Sequence, residues 1–223
     1  MLVGLLGFIG SGKGTAGEIL KDMGFHPISF ASGVKDVASV MFDWPRELLE
    51  GDTDESREWR EQPDEFWSSR FGKDFTPRLA LQLMGTEVGR QVFHEDFWVD
   101  RIKKTMDPNK NYVITDVRFM NELRFVRQNT GVLICIERGI LPHWYDIAGA
   151  ANRGHTKELQ WMLEESGVHE SEWRWVGGPI DHYIENSRTK EYLKERLISA
   201  LTKSYGSGIM NELNEGVNRN EII

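Results

Sequence analysis

Met1-Leu-Val-Gly-Leu-Leu-Gly7-Phe-Ile-Gly10-Ser-Gly12-Lys13-Gly14-Thr15 runs from an apolar stretch straight into a glycine-rich loop spaced G-x-x-x-x-G-K. Leu2 to Leu6 predicts a buried strand, and the pattern from Gly14 to Met23 predicts the helix after the loop. Glycine backbones can turn successive N–H groups inward around a polyphosphate, where side chains would block the wrap. Lys13 stands where loop becomes helix, so its ammonium and the helix N-terminus address the same anion. Gly10, Ser11, Gly12, Lys13, Gly14, Thr15 and Ala16 are therefore the expected nucleotide-binding residues, with ATP and Mg²⁺ as the guests. The usual Ser or Thr after the lysine is replaced by Gly14, and Thr15 offers its hydroxyl one place later. The alternative, a glycine-rich turn that binds nothing, lacks a reason for the strand and helix that frame it.

Further along, His26 to Ser29, Tyr112 to Thr115, Val132 to Ile136 and His182 to Ile184 predict four more strands, with helical patterns between them. Such alternation predicts an α/β fold, a parallel sheet of about five strands covered by helices on both faces. The predicted helices include Val34 to Phe42 after a cap at Ser32, a long one from Thr76-Pro77 to about Val92, and one carrying Trp98, Ile102 and Met106. Glu122 to Gln128 closed by Gly131 and a last helix through Tyr192, Leu193, Leu197 and Leu201 complete the set. Two segments break the alternation. Residues 43–75, dense in charge and aromatics, predict a helical insertion on the acceptor side, and residues 138–179, with four of the eight tryptophans, a lid. One domain over 1–205 and a flexible tail over 206–223 are expected.

A net charge of −8 on 223 residues gives no basic face for a nucleic-acid polymer or an anionic membrane. No apolar run is long enough to span a bilayer, and the chain starts on a core strand, so a cytoplasmic protein is expected. The single cysteine, Cys135, lies in an apolar run and reads as a buried small hydrophobe, which leaves no disulfide.

Chemistry beyond the loop centres on Tyr112-Val-Ile-Thr-Asp116-Val-Arg118. An aspartate at the end of a strand beside a phosphate loop suits Mg²⁺, and the residue alone is equally a helix cap before Met120. Arg118 suits a transferring phosphoryl group or an acceptor phosphate, with a surface salt bridge as its plain alternative. Lys35 in a first helical turn opposes the helix dipole unless an anion sits nearby. Arg78, Gln82, Thr86 and Arg90 recur every four residues, giving a polar stripe able to meet a phosphate and a base, or simply an exposed face. His143, His155 and His169 share no metal-ligand spacing.

In order, the loop, Leu81-Gln-Leu-Met-Gly-Thr-Glu87 with Arg78 before it and Phe97-Trp98 after it, Val113-Ile-Thr-Asp-Val-Arg118, Ile136-Glu-Arg-Gly139, His169-Glu-Ser-Glu172 and Ile184-Glu-Asn186 resemble the deoxynucleoside monophosphate kinases of tailed bacteriophages. More distantly they resemble phosphomevalonate kinases of animals. The resemblance spans Met1 to about Leu201, except residues 43–75 and much of 139–168. It implies a P-loop kinase fold with acceptor-binding and lid insertions. It also implies transfer of the γ-phosphoryl of ATP to a deoxynucleoside 5′-monophosphate, in the host cytoplasm for a phage protein, with a homodimer left open. Carried over by position, Lys13, Asp116, Arg118 and Arg138 are the catalytic residues. Val34, Lys35, Arg78, Gly85, Thr86, Trp98 and Arg118 bind the acceptor, and Asp116 and Thr15 face the metal. Ile9, Gly10 and Gly14 depart from the charged or polar loop of the phage enzymes and bring this loop closer to the adenylate kinase type. A kinase for another small phosphate ester and a non-catalytic ATP-binding regulatory protein are the competing functions.

Overall fold

The apolar runs form a five-stranded, all-parallel sheet in the order β2-β3-β1-β4-β5, in a computed structural model that describes residues 1–208. The strands are β1 (Leu2–Leu6), β2 (His26–Ile28), β3 (Tyr112–Ile114), β4 (Val132–Glu137) and β5 (His182–Glu185). β1 is central, pairing Val3 with Val113 on one side and with Val132 on the other. Its five residues are all buried because both sheet faces are covered, which explains a continuous apolar run where a half-exposed strand would alternate. One face carries Val3, Leu5, Val113, Ile134 and Ile136 against α1 (Lys13–Asp22) and α11 (Lys190–Tyr205). Gly4 points the other way, and a Cβ there would crowd Leu133, Val126 and Val117 within 3.2 Å. That tight approach seats α7 (Met120–Gln128) on the second face.

These elements belong to one compact unit, Met1–Ser29 with Thr105 onward; Phe30–Lys104 form a second. The first unit also holds α8 (Tyr145–Asn152), α9 (Thr156–Glu164) and the short α10 (Glu170–Trp173), all within the segment expected as a lid. That segment has its own interior: Ala148, Ala151, Met162, Trp173 and Trp175 are buried, and Asn152 Nδ2 donates to the carbonyls of Trp173 and Val176.

The second unit is helical: α2 (Ser32–Phe42), a 3₁₀ turn at Glu47–Leu49, α3 (Asp54–Glu61), α4 (Glu65–Phe71), α5 (Pro77–Leu83), a π-helix at Met84–Phe93 and α6 (Phe97–Thr105). Residues 43–75 carry α3 and α4, and Trp44 and Phe75 are buried among them while Phe66 and Phe71 stay exposed. Trp44 stacks on Phe42 at 4.5 Å and donates Nε1 to Asp64 Oδ2 at 2.7 Å, while Trp59 and Trp67 pack around them. Thr53, Asp64 and Thr76 each cap the next helix through a side-chain oxygen.

Three local expectations need correction. Ser32 lies inside α2, whose cap is Ala31 with no side-chain bond. α7 ends at Gln128, and Gly131 comes three residues later as the amide that returns to the Val126 carbonyl, while Thr130 takes the left-handed backbone at φ 52°. The long helix from Pro77 changes to π-helix after Leu83. Trp98 packs against this turn: it donates Nε1 to the Gly85 carbonyl at 2.8 Å and lies so close to Gly89 that a Cβ there would stand 2.4 Å from Nε1. Bonding from i to i+5 widens the turn, so the face expected from Arg78 through Gln82 and Thr86 to Arg90 is not continuous. Thr86 is buried, and Arg90 donates Nη1 to the Glu95 carbonyl.

Among the described residues, no helix is long and apolar enough to cross a membrane. Cys135 is buried in β4, and burial pushes its thiol up to about 12, so it is inert packing. Of the tail expected over 206–223, residues 209–223 lie outside the described residues.

Candidate active site

The loop between β1 and α1 takes its shape from three glycines with positive φ: 134° at Gly7, 78° at Gly10 and 101° at Gly12. At two of them the neighbours also exclude a side chain. A Cβ on Gly7 would stand 2.2 Å from the Ile136 carbonyl oxygen, and one on Gly12 would stand 2.1 Å from Asn186 Nδ2. Asn186 lies just past β5 and donates that amide to the Ser11 carbonyl at 2.9 Å, tying the loop to the sheet. Gly12 caps α1 without a side chain, and no acidic residue occupies the first turn. The first amides of α1 therefore keep their donors and the positive end of the helix dipole, the ordinary requirement for anion binding. Ser11 is 2% exposed, and its hydroxyl has no hydrogen-bond partner among the described residues.

Lys13 donates Nζ to the carbonyls of Gly7 and Phe8, both at 2.7 Å. Burial, with the positive charge of Arg118 second, pushes its ammonium down from the ordinary value of 10.5 to about 8; Glu172 and Asp116 pull the other way. Lys13, Arg118, Glu172 and Asp116 thus share one electrostatic neighbourhood, although they come from segments far apart in the chain. Topology is the reason: β1 and β3 are paired and parallel, so the segments leaving their C-terminal ends emerge at the same sheet edge.

Asp116 does not cap α7. That helix starts at Phe119 as its cap, and buried Glu122 reaches back to accept from the amides of Arg118 at 2.6 Å and Phe119 at 3.0 Å. Asp116 instead accepts from the Ser29 hydroxyl at 2.8 Å, just past the end of β2. Arg118 donates Nη1 to Glu172 Oε1 at 2.7 Å and to the Ser171 carbonyl at 3.2 Å, so the alternative of a lone surface salt bridge gives way to a partly buried one beside the loop. Arg138 is exposed just past β4, and Thr15 is exposed in the first turn of α1.

The second unit holds the expected acceptor residues other than Arg118. Lys35 in α2 meets the anion its helix position calls for: Glu50 Oε2 at 2.5 Å. Arg78 in α5 pairs with Glu61 at 3.1 Å. Val34 is buried beside Gly85, Thr86 is buried, and Trp98 is buried with its indole on the Gly85 carbonyl, so Trp98 shapes the π-helix from behind.

Sequence reasoning gave no role to three of these neighbours. Phe8 packs its ring against Trp144 at 5.5 Å, Tyr145 at 6.0 Å and Trp175 at 5.0 Å, joining the loop to the tryptophan-rich segment. Glu172 and Asn186 were visible only as parts of the Ser-Glu and Ile-Glu-Asn elements. His169 caps α10 through Nδ1, a structural use that no ligand spacing would reveal.

No group of three or more His, Cys, Asp or Glu among the described residues could hold a metal ion by itself. Mg²⁺ does not need one, since it keeps waters and phosphate oxygens and takes one or two protein oxygens. The Asp116 carboxylate, fixed by Ser29, and the exposed Thr15 hydroxyl are oxygen donors of the kind Mg²⁺ takes.

Among curated proteins, the chain is 34% identical over 152 residues to a protein of Acanthamoeba polyphaga mimivirus named putative deoxynucleotide monophosphate kinase, covering 62% of this chain and 74% of the viral protein. It is 46% identical over 56 residues to the deoxynucleoside-5′-monophosphate kinase of Escherichia phage T5, covering 24% of this chain and 22% of the phage protein. No protein-family model matches the chain.

Proposed function

The chain belongs to the deoxynucleotide monophosphate kinase family, and from that premise we propose that it moves the γ-phosphoryl of ATP to the 5′-phosphate of a deoxynucleoside monophosphate. One observation carries the assignment of roles: Lys13, Asp116 and Arg118 meet at the ends of paired strands, in front of an uncapped helix N-terminus. The acceptor oxygen is already anionic, so transfer requires alignment and charge neutralisation and no general base. That agrees with a site whose groups are a lysine, an arginine and a carboxylate.

In this mechanism the loop amides from Gly10 to Ala16 bind the polyphosphate, and Lys13 exchanges two backbone carbonyls for phosphate oxygens. Arg118, oriented by Glu172, takes charge from the transferring group, and Arg138 adds a second guanidinium. Thr15 and Asp116 would hold Mg²⁺, which when bound neutralises charge on the β- and γ-phosphate oxygens. On the acceptor side, Lys35 and Arg78 meet the monophosphate. Val34, Gly85 and Thr86 line the backbone it approaches, and Trp98 supports Gly85 from below.

ATP offered with each of the four deoxynucleoside monophosphates in a coupled ADP assay tests the activity. At least one acceptor is turned over, and Lys13→Met abolishes transfer while keeping the wild-type circular dichroism spectrum. An active, folded Lys13→Met protein, or no transfer to any of the four acceptors, refutes the proposal.

A further inference from the structure

Both cations assigned to the acceptor phosphate are paired with carboxylates from the same segment, the insertion at 43–75 that the family resemblance leaves uncovered. Glu50, just past the 3₁₀ turn, accepts from Lys35 Nζ at 2.5 Å. Glu61, the last residue of α3, lies 3.1 Å from Arg78. Neither pair joins sequence neighbours, and each spans from the insertion to a helix outside it, α2 or α5.

Glu50 is built in rather than incidental. Arg46 donates to its second oxygen and also to Asp36 Oδ1 at 2.7 Å, and Asp36 in turn lies 3.5 Å from Arg101. The Lys35 side chain is only 14% exposed against 40% for Glu50, so the ammonium is largely shielded while its carboxylate partner keeps access to solvent. The Arg78 and Glu61 pair is looser, at 28% and 55%.

We propose that Glu50 and Glu61 are specificity-determining residues that stand in for the acceptor phosphate, so that a ligand must displace or outbid two tethered carboxylates to reach Lys35 and Arg78. The inference rests on the assignment of those two cations to the acceptor. A carboxylate carries one negative charge and a phosphomonoester close to two near neutral pH. The tethered carboxylate has a high local concentration, so weak monoanions lose to it and a dianionic monophosphate prevails. The insertion thus sets a charge threshold on the acceptor site and gives the paired cations fixed geometry in the free protein.

Glu50→Gln and Glu61→Gln keep side-chain shape and remove the competing charge. For whichever deoxynucleoside monophosphate is turned over, Glu50→Gln lowers the acceptor KM by roughly threefold to fivefold, the range expected for a partly exposed ion pair, and Glu61→Gln lowers it by less. The inhibition constant of inorganic sulfate against that acceptor falls in the same order, while the KM for ATP stays within twofold. Glu58→Gln on the same α3, an exposed carboxylate, is the charge control and leaves the acceptor KM unchanged. An acceptor KM that stays level or rises in both Gln variants overturns the inference. So does an equal fall in Glu58→Gln, which would mark a general charge effect. Should Glu50→Gln not fold, Glu61→Gln on its separate helix decides alone. Lys35→Gln separates the two levels: an unchanged acceptor KM in that variant removes the underlying assignment, whereas a raised KM there with no fall in the Glu variants removes only the inference.

Discussion

With the polyphosphate placed at Lys13 as proposed, nucleotide binding draws a proton onto that side chain. In the free protein, burial and the neighbouring Arg118 hold its ammonium down at about 8 against an ordinary 10.5. A polyphosphate brings several negative charges to the same nitrogen and restores its preference for the charged form. If the bound value returns to the ordinary one, uptake on binding is ~0.1 proton at pH 7, ~0.5 at pH 8 and ~0.9 at pH 9. Affinity for ATP consequently falls as pH rises through 8, by about tenfold per pH unit once Lys13 is neutral in the free protein.

The sign for stability is the reverse. The folded value lies below the unfolded one, so the unfolded chain binds more protons between about 8 and 10.5, and Lys13 adds stability as pH rises through that window, in total about 3 kcal/mol. Below 8 both states carry the charge, and the buried ammonium is a standing cost of similar size.

Titration calorimetry with MgATP at pH 8 and 9, in pairs of buffers with different ionisation enthalpies, measures the uptake directly. ATP is fully ionised in that range, so its own protons do not contribute. Uptake that rises from pH 8 to 9 and vanishes in Lys13→Met is the expected result. No uptake at pH 9, or the same uptake without the lysine, would refute the burial argument for this side chain.

Two further outcomes rest on single contacts. Asn186→Ala deletes the amide that holds the Ser11 carbonyl; losing one such hydrogen bond costs about 1 kcal/mol, so the KM for ATP rises roughly fivefold while the acceptor KM stays level in steady-state kinetics. Thr130→Gly relieves a β-branched residue of its left-handed backbone after α7. It stabilises the protein by about 1 kcal/mol and raises the midpoint of thermal unfolding by ~2–4 °C in scanning calorimetry; a lowered midpoint contradicts the strain.

The five strands and their parallel pairing were legible because each is a short apolar run separated by helical periodicity, and covering both faces leaves few other arrangements. The loop was legible for a different reason, since glycine spacing encodes backbone shape directly. Helix detail was less so. The π-helix after Leu83 packs on Trp98, nine residues beyond the nearest glycine it touches, and local periodicity carries no trace of that contact. Asp116 shows the same limit, because whether it caps α7 is decided by Glu122, whose side chain takes the amides of Arg118 and Phe119.

By itself the chain therefore determined a parallel α/β sheet, a phosphate loop at the end of its first strand, and the charged residue types available for phosphoryl transfer. All of these are written in spacing over a few residues. Partnership was decided only in the tertiary structure: Glu172 on Arg118, Ser29 on Asp116, Asn186 on the loop, Glu50 on Lys35 and Glu61 on Arg78. Each contact fixes its partner's position through a distance of about 3 Å, and most of these distances join residues far apart along the chain.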